Sequence, residues 1–391
     1  MNTLISFAML ISLSTYGTIK TGQLLGVDAS TSTGGLYDVD PATGDATLLY
    51  PLEVLTGGLA VGPDGTLFGS SNELVIIDPN TGIVTNVGSI GFGSVTGLAF
   101  GANGTLYGFD NFTDQLITID RLTGEGSAVG SVGMSIVGTG LGFATDGTLY
   151  LVGEAVAVTK LYTVDTEIGS AREVGVLGSD FTSTGGIEAV GAVLYASAHD
   201  SFNKPYDALV TVDAGTGEAA KVGGFCPFSK DCPFMNGLAF LPGAGDGDRD
   251  GDVDEADFAF FEECFGPLDE PGKSPYCAFL DSDKDGDLDC TDWETFIPNW
   301  TEDTDPPTFP TCDCDTPPCD VPCGGLPSCD GDANCDGLVD PLDSGFVFAR
   351  FGCPVGAGDP LCDAADVNLD SLVDPLDVGF VLARFGTCDG N

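Results

Sequence analysis

The sequence predicts a mainly β chain: a five-bladed β-propeller with velcro closure over residues 18–242, followed by two small loop–helix modules. Three observations predict it. Two phrases recur in strict alternation through the first half of the chain. The composition breaks near residue 243, where a Gly-rich half gives way to an acidic, Cys-rich one. Beyond the break, a twelve-residue pattern of acids recurs four times.

Leu4–Leu13 (LISFAMLISL) is apolar but too short to span a bilayer, which needs about 20 residues. With the small-residue exit Thr15-Tyr16-Gly17 it reads as an export signal over residues 1–17, although no Lys or Arg precedes it. A buried first strand or a misassigned start are the alternatives.

The first phrase opens at Gly57-Gly58-Leu59-Ala60-Val61, turns at Pro63-Asp64-Gly65 and continues as Thr66-Leu67-Phe68-Gly69. It returns as GLAFGANGTLYG from Gly97, GLGFATDGTLYL from Gly140 and, more weakly, GIEAVGAVLYAS from Gly186; its opening alone recurs as GLAFLPG from Gly237. The second phrase is LVIIDPNTGIVTNVG from Leu74, with copies from Leu36, Leu116, Leu161 and Leu209. Each phrase holds two short strands around an Asp/Asn/Gly turn, a hairpin signature, so each unit has four strands. Five units over residues 18–242 average 45 residues apiece, the size of a four-stranded blade.

The chain enters in mid-unit at Gln23–Asp28 and leaves on a lone first strand, Gly237–Leu241. One blade is therefore expected from both ends, which removes two open strand edges. The pattern resembles β-propellers with NHL-like or YVTN-like blades.

Asp40, Asp78, Asp120, Asp165 and Asp213 hold one hairpin corner in every unit, and a turn role explains them, because Asp side chains bond their own backbone in turns. Asp64, Asn103 and Asp146 read the same way. Binding is expected where the units differ: Ser70–Glu73, Asp110–Gln115, Gly153–Lys160, Ser197–Asp207 and the insertion Gly223–Asn236. Glu154, Glu188 and Asp110 are the candidate channel acids, since paired carboxylates hydrolyse glycosides. No spacing singles them out, and His199-Asp200 has no evident nucleophile partner.

The most specific signals follow residue 245. Asp246, Asp248, Asp250, Gly251, Asp252, Asp254 and Asp257 occupy places 1, 3, 5, 6, 7, 9 and 12 of a calcium loop. Asp281, Asp283, Asp285, Gly286, Asp287, Asp289 and Asp292 repeat it. A third loop has Asp332, Asn334, Asp336, Gly337, Leu338, Asp340 and Asp343, and a fourth has Asp366, Asn368, Asp370, Ser371, Leu372, Asp374 and Asp377. Calcium takes six to eight oxygens, from side chains at places 1, 3, 5 and 12 and a carbonyl at 7, and the Gly at 6 allows the sharp turn. Up to four Ca²⁺ ions are expected. Place 12 is Asp in all four loops, Gly, Pro or Cys precedes each loop rather than an entering helix, and short helices are expected at 257–265, 343–351 and 377–385.

Two loop–helix units about 34 residues apart resemble a dockerin module of the EF-hand type, the calcium-dependent plug that binds cohesins in polysaccharide-degrading assemblies. The closer match is 329–391, where DGLVDPLDSGFVFARFG and DSLVDPLDVGFVLARFG nearly coincide; 243–298 matches more loosely. The resemblance places partner recognition at Pro341, Leu342, Phe348, Ala349 and Arg350, and at Pro375, Leu376, Leu382, Ala383 and Arg384. Pro at place 10, Gly345, Gly379 and Ser371 depart from the family pattern. Residues 299–328, rich in Pro and Cys, read as a stiff spacer.

Composition excludes some partners. The chain carries 60 acids against 12 Lys and Arg, a formal charge of −48. Nucleic acid and anionic membranes are therefore not expected as partners. From Gly245 onward there are 36 acids and 5 bases, leaving 24 and 7 before it. All fourteen cysteines lie at or beyond Cys226, which fits disulfides outside the cytosol. The rival is zinc, but Cys312, Cys314, Cys319 and Cys323 match no common zinc spacing. Cys226 with Cys232 and Cys264 with Cys277 are the simplest pairings.

The expectation is a secreted or cell-surface calcium-binding protein. Its propeller would be a non-catalytic recognition platform, and its tail would dock to a cohesin-like or cell-envelope partner. The alternatives are a propeller that hydrolyses a glycan or lactone, and a purely structural calcium-stabilised protein.

Overall fold

The computed structural model describes residues 22–29, 34–54, 56–200, 207–226 and 233–301, and the backbone of 338–339 and 386–387. The chain divides into two compact units, Met1–Asp305 and Pro306–Asn391. Residues 1–17, most of the spacer and the two helices expected at 343–351 and 377–385 lie outside the described residues.

Twenty strands in the first unit form five four-stranded antiparallel sheets. Blade 2 is β4 (Gly58–Val61) to β7 (Val84–Ser89), and blade 3 is β8 (Val95–Phe100) to β11 (Gly126–Ser131). Blade 4 runs from β12 (Val137–Phe143) to β15 (Ala171–Val176), and blade 5 from β16 (Phe181–Val190) to β19 (Ala219–Gly224). Blade 1 joins β1 (Gln23–Asp28), β2 (Gly35–Val39) and β3 (Ala46–Pro51) to β20 (Met235–Leu241) from the other end. The closing register puts Leu24 opposite Phe240 and Gly26 opposite Leu238. The predicted closure is therefore present, with the last strand beginning two residues earlier than its repeat phrase.

The core is split five ways, one apolar layer in each gap between blades. Leu25, Leu36 and Leu49 meet Leu59, Leu67 and Ile77 between blades 1 and 2. Leu24, Val39 and Leu238 meet Leu209 between blades 1 and 5. The other three gaps hold equivalent layers.

Both repeat phrases carry glycines for a steric reason. In the first phrase, Gly97, Gly140, Gly186 and Gly237 sit where an added Cβ would collide with the neighbouring inner strand, at Leu141, Gly185, Leu238 and Leu59. Inner strands that are not neighbours in the ring, β12 and β20 or β8 and β20, still approach within 8 Å between Cα atoms. The axis of the propeller is thus packed backbone.

In the second phrase, the glycine of each outer strand faces a turn carbonyl of the next blade. Gly88 faces Thr123, Gly130 faces Ile168, Gly175 faces Thr216 and Gly223 faces Thr43. At the fifth joint Tyr50 lies against Gly82 and donates its hydroxyl to the carbonyl of Asn80.

The acidic region up to Thr301 packs against the propeller within the same unit. Its helices are α1 (Glu255–Cys264), α2 (Cys277–Leu280) and α3 (Cys290–Phe296). Here the structure corrects the sequence reading. The helix expected at 257–265 starts earlier, because Asp254 caps it in a reciprocal capping box with Asp257. A second helix, α3, is capped in the same way by Asp289 and Asp292, and α2 does precede the second loop. The helices meet over stacked and tilted rings, with Trp293 5.3 Å from Phe261 and 5.0 Å from Phe296. Cys264 and Cys277 form the expected disulfide. Cys226 is also disulfide-bonded, but Cys232 lies outside the described residues.

Candidate metal centre and the adjoining cavity

The first acidic loop starts on a tight turn and ends inside α1. Its place-4 and place-6 residues, Arg249 and Gly251, have φ of +66° and +106°, and Lys284 and Gly286 in the second loop have +61° and +99°. The two loops therefore follow one backbone path. An L residue held in the left-handed region costs about 1–2 kcal/mol, so the path is imposed by the rest of the loop.

Asp246, Asp248 and Asp250 bring one carboxylate oxygen each to within 4.8 Å of the others, and Asp281, Asp283 and Asp285 do the same in the second loop. Ca²⁺ holds oxygens at about 2.3–2.6 Å, so opposite ligands stand nearly 5 Å apart and the spacing fits. Asp246 is 1% exposed, and its Oδ1 has no hydrogen-bond partner. A buried carboxylate oxygen without a donor is costly, and a cation is the natural remedy. Burial and the neighbouring Asp257 push the Asp246 carboxyl up to about 7, and burial with Asp257 and Asp250 pushes Asp248 up to about 6. In the second loop the Oδ1 of Asp287, at place 7, is likewise buried without a partner.

Place 12 has a second task. Asp257 Oδ1 accepts the N–H groups of Gly247 (2.6 Å) and Asp248 (3.1 Å), while Oδ2 accepts that of Asp254 (2.8 Å). Asp292 repeats this with Ser282 (2.6 Å) and Asp289 (2.9 Å). Asp252, with Asp254 and Asp257, brings a further carboxylate oxygen within 4.8 Å. Six acidic side chains of the first loop thus surround one short stretch of backbone.

The two loops are cross-tied. Gly266, twenty residues beyond place 1 of the first loop, pairs with Leu288 at place 8 of the second, joining β21 (Gly266–Pro267) to β22 (Asp287–Leu288). Thr301, twenty beyond place 1 of the second loop, donates its N–H to the carbonyl of Val253 at place 8 of the first (3.0 Å).

In the second unit, β23 (Leu338–Val339) pairs with β24 (Gly386–Thr387) in the register Val339↔Gly386. Gly386 again lies twenty residues beyond place 1 of its own loop, and Val339 is place 8 of the other. The ligand residues Asp332, Asn334, Asp336, Asp343, Asp366, Asn368, Asp370, Leu372 and Asp377 lie outside the described residues. So do the partner-binding residues Pro341, Leu342, Phe348, Arg350, Pro375, Leu376, Leu382 and Arg384.

On the propeller, the repeated turn acids are where the hairpin reading puts them. Oδ1 of Asp40, Asp78, Asp120, Asp165 and Asp213 accepts the N–H two residues on, at 2.8–3.0 Å. Hydrogen bonds from the Thr81 and Thr216 side chains, and after them backbone N–H groups, hold Asp78 and Asp213 below the usual carboxylate range, and the N–H groups of Leu122 and Thr123 do the same for Asp120. The three channel acids do not converge. Asp110 is fully buried and accepts from Ser94, Phe112 and Thr113. Glu154 lies on the second strand of blade 4, opposite Val137 and Thr159. His199 Nδ1 is 2.7 Å from Asp207 Oδ1.

Glu188 alone of the three lies on an inner strand. Its Oε1 accepts the Phe240 N–H (3.2 Å), and burial pushes its carboxyl up to about 7 against the pull of Arg249. Arg249 reaches from place 4 of the first loop, donates Nη2–H to the Phe240 carbonyl (3.3 Å) and stands 5.3 Å over the ring of Tyr276. The Tyr276 hydroxyl donates to the Gly101 carbonyl (3.2 Å). These three residues and Asp248 line a cavity of about 320 Å³ between the propeller face and the first loop. Tyr276 carries no repeat signal in the sequence, and Arg249 shares its place only with Lys284 of the second loop. The only clue was a base at place 4 of an otherwise acidic loop.

No protein-family model and no curated protein matches the chain. Among solved structures, it is similar to a chain in a nidogen/laminin complex, at 13% identity and TM-score 0.42, over 56% of this chain and 98% of that one. It is also similar to TolB from Acinetobacter baumannii, at 14% identity and TM-score 0.39, over 56% and 67%. Regucalcin from Agrobacterium tumefaciens, described as a calcium-binding protein, gives 18% identity and TM-score 0.34, over 54% and 77%. Likenesses this distant have no bearing on function.

Proposed function

We propose that the chain is a secreted or cell-surface calcium-binding protein whose propeller is a recognition platform and whose 329–391 tail is a dockerin-like docking module. The observation that carries calcium binding is the buried Asp246, whose Oδ1 has no hydrogen-bond partner and whose carboxylate lies at calcium spacing from those of Asp248 and Asp250. When bound, the ion would supply the positive charge the loop lacks and satisfy oxygens that no donor reaches. Asp246, Asp248, Asp250, Asp252 and Asp257 would hold it in the first loop, and Asp281, Asp283, Asp285, Asp287 and Asp292 in the second. Because the ligands are scattered acids until the loop closes, binding free energy becomes folding free energy.

Support for the tail comes from the repeated register: loop place 8 paired with the residue twenty beyond place 1, as in the described pair of loops. Its partner would be a cohesin-like or cell-envelope protein. The test is affinity capture on the immobilised full chain from the secreted fraction of the source, in Ca²⁺ and then in EDTA, read by mass spectrometry. A partner of scaffold type held only in Ca²⁺ is expected. If the loaded chain binds Ca²⁺ by calorimetry yet holds no such partner, docking is wrong and calcium is a structural brace.

A further inference from the structure

The cavity under the first loop is built from two chemistries. From the propeller come small and aromatic apolar groups, among them Ala60, Ala99, Phe100 and Phe143, and the module adds Phe260 and Tyr276. Set into these walls are two carboxyls, Glu188 and Asp248, and one guanidinium, Arg249. The volume of about 320 Å³ stands at the small end of ligand pockets, which start near 300 Å³, and admits a single substituted ring.

The charges choose among ligands by exclusion. Glu188 and Arg249 already offset one another, and on the calcium reading Asp248 is committed to the loop's cation. An added cation or anion therefore finds no unspent counter-charge and meets a like charge in a low-dielectric wall. A neutral hydroxyl meets neither penalty. It can donate to the Glu188 carboxyl and accept from the Arg249 guanidinium, whose five N–H donors outnumber its bonds to the Phe240 carbonyl (3.3 Å) and the Tyr276 side chain. The ring faces supply the remaining contact.

We propose that this cavity binds a small neutral ring alcohol, held between Glu188 and Arg249, and that calcium in the first loop fixes the wall to which Arg249 belongs. The second half rests on the calcium reading above. Arg249 is flanked by Asp248 and Asp250, and Gly251 of the same loop faces the propeller so closely that an added Cβ would touch Val190 and Phe240. A loop left without its cation would release the guanidinium from the position that completes the site.

The experiment uses the full chain and 4-methylphenol as probe, with 4-methylbenzoate and 4-methylbenzylammonium as charged isosteres. Binding is read by calorimetry and ligand-observed NMR in Ca²⁺ and in EDTA. In Ca²⁺ the phenol should bind at least about tenfold more tightly than either charged isostere, a difference of about 1.4 kcal/mol. Glu188→Gln and Arg249→Met should each weaken it several-fold. Ala102→Trp, on an exposed turn at the cavity rim, should block it while leaving the fold intact by circular dichroism.

A charged isostere that binds as tightly, or a loaded chain that does not bind the phenol, overturns the site. Equal phenol binding in both buffers, with calcium shown bound by its own titration, overturns the coupling. Absence of any calcium heat overturns the calcium reading instead, so the two failures are told apart.

Discussion

Asp246 and Asp257 are both buried acids of one loop, yet their surroundings assign them different work. Asp257 spends its oxygens on three backbone N–H groups, whereas Asp246 keeps one oxygen with no donor at all. Asp246→Ala should therefore weaken calcium binding at the first loop by more than about tenfold while leaving the helix cap in place. Glu255→Ala, on the exposed first turn of α1, should change it less than twofold; terbium luminescence or calorimetry would check both. The raised carboxyls also fix a sign for pH. Asp246 and Asp248 titrate near 7 and 6 when folded without metal, above the 3.8 of a free carboxyl. The folded state then holds more protons than the unfolded one between about pH 4 and 7, so stability falls as pH rises through that window. In EDTA the melting temperature of the acidic module should drop from pH 5 to pH 8, and Ca²⁺ should abolish the drop. A flat profile in EDTA would refute the crowding of these acids. The acidic clusters were legible in the sequence because Asp at alternate places of a tight loop brings its carboxylates together. Glu188, Arg249 and Tyr276 were not legible as a group, since only the packing of the module on the propeller unites them.

At the scale of elements, the outer-strand glycines carry a definite expectation. Gly130→Ala would drive a methyl into the Ile168 carbonyl of the next blade, and no flexible side chain can yield there. The cost should exceed about 2 kcal/mol, at the upper end of ordinary point changes. Gly133→Ala, at φ +83° with nothing within 4 Å, should cost only about 1 kcal/mol. Equal losses in a urea titration would show that conformation rather than contact sets the glycine pattern. Strands were legible because each blade repeats two hairpins with the same turn chemistry. Helix α3 was missed because its seven residues, CTDWETF, are too few to show helical periodicity. Its start was nevertheless written in Asp289 and Asp292, which form a capping box as well as belonging to the calcium pattern. The same aspartates serve two rules, and the sequence reading applied only one of them.

For the whole molecule, closure by β20 makes folding of the ring dependent on residues far from its start. A chain ending at residue 234 loses the inner strand of blade 1 and bares the edge of β1, whereas one ending at residue 305 keeps the first unit. The shorter chain should unfold without a cooperative transition and aggregate, and the longer should melt in one step. If both melt alike, the seam between β1 and β20 is dispensable. This joint was foreseeable from the odd strand left over in the repeat count, while the seating of the acidic module on the propeller face was not, because the contacts of Tyr276 with Gly101 and Arg249 with Phe240 follow no repeat. The backbone-filled axis has one more consequence. A propeller with an open bore lets water and solutes pass from one face to the other, so a ligand can approach from either side. Here the five inner strands make a bulkhead instead of a pipe. The face under the acidic module and the opposite face are separate rooms, and whatever enters the small cavity must come and go by the module's side.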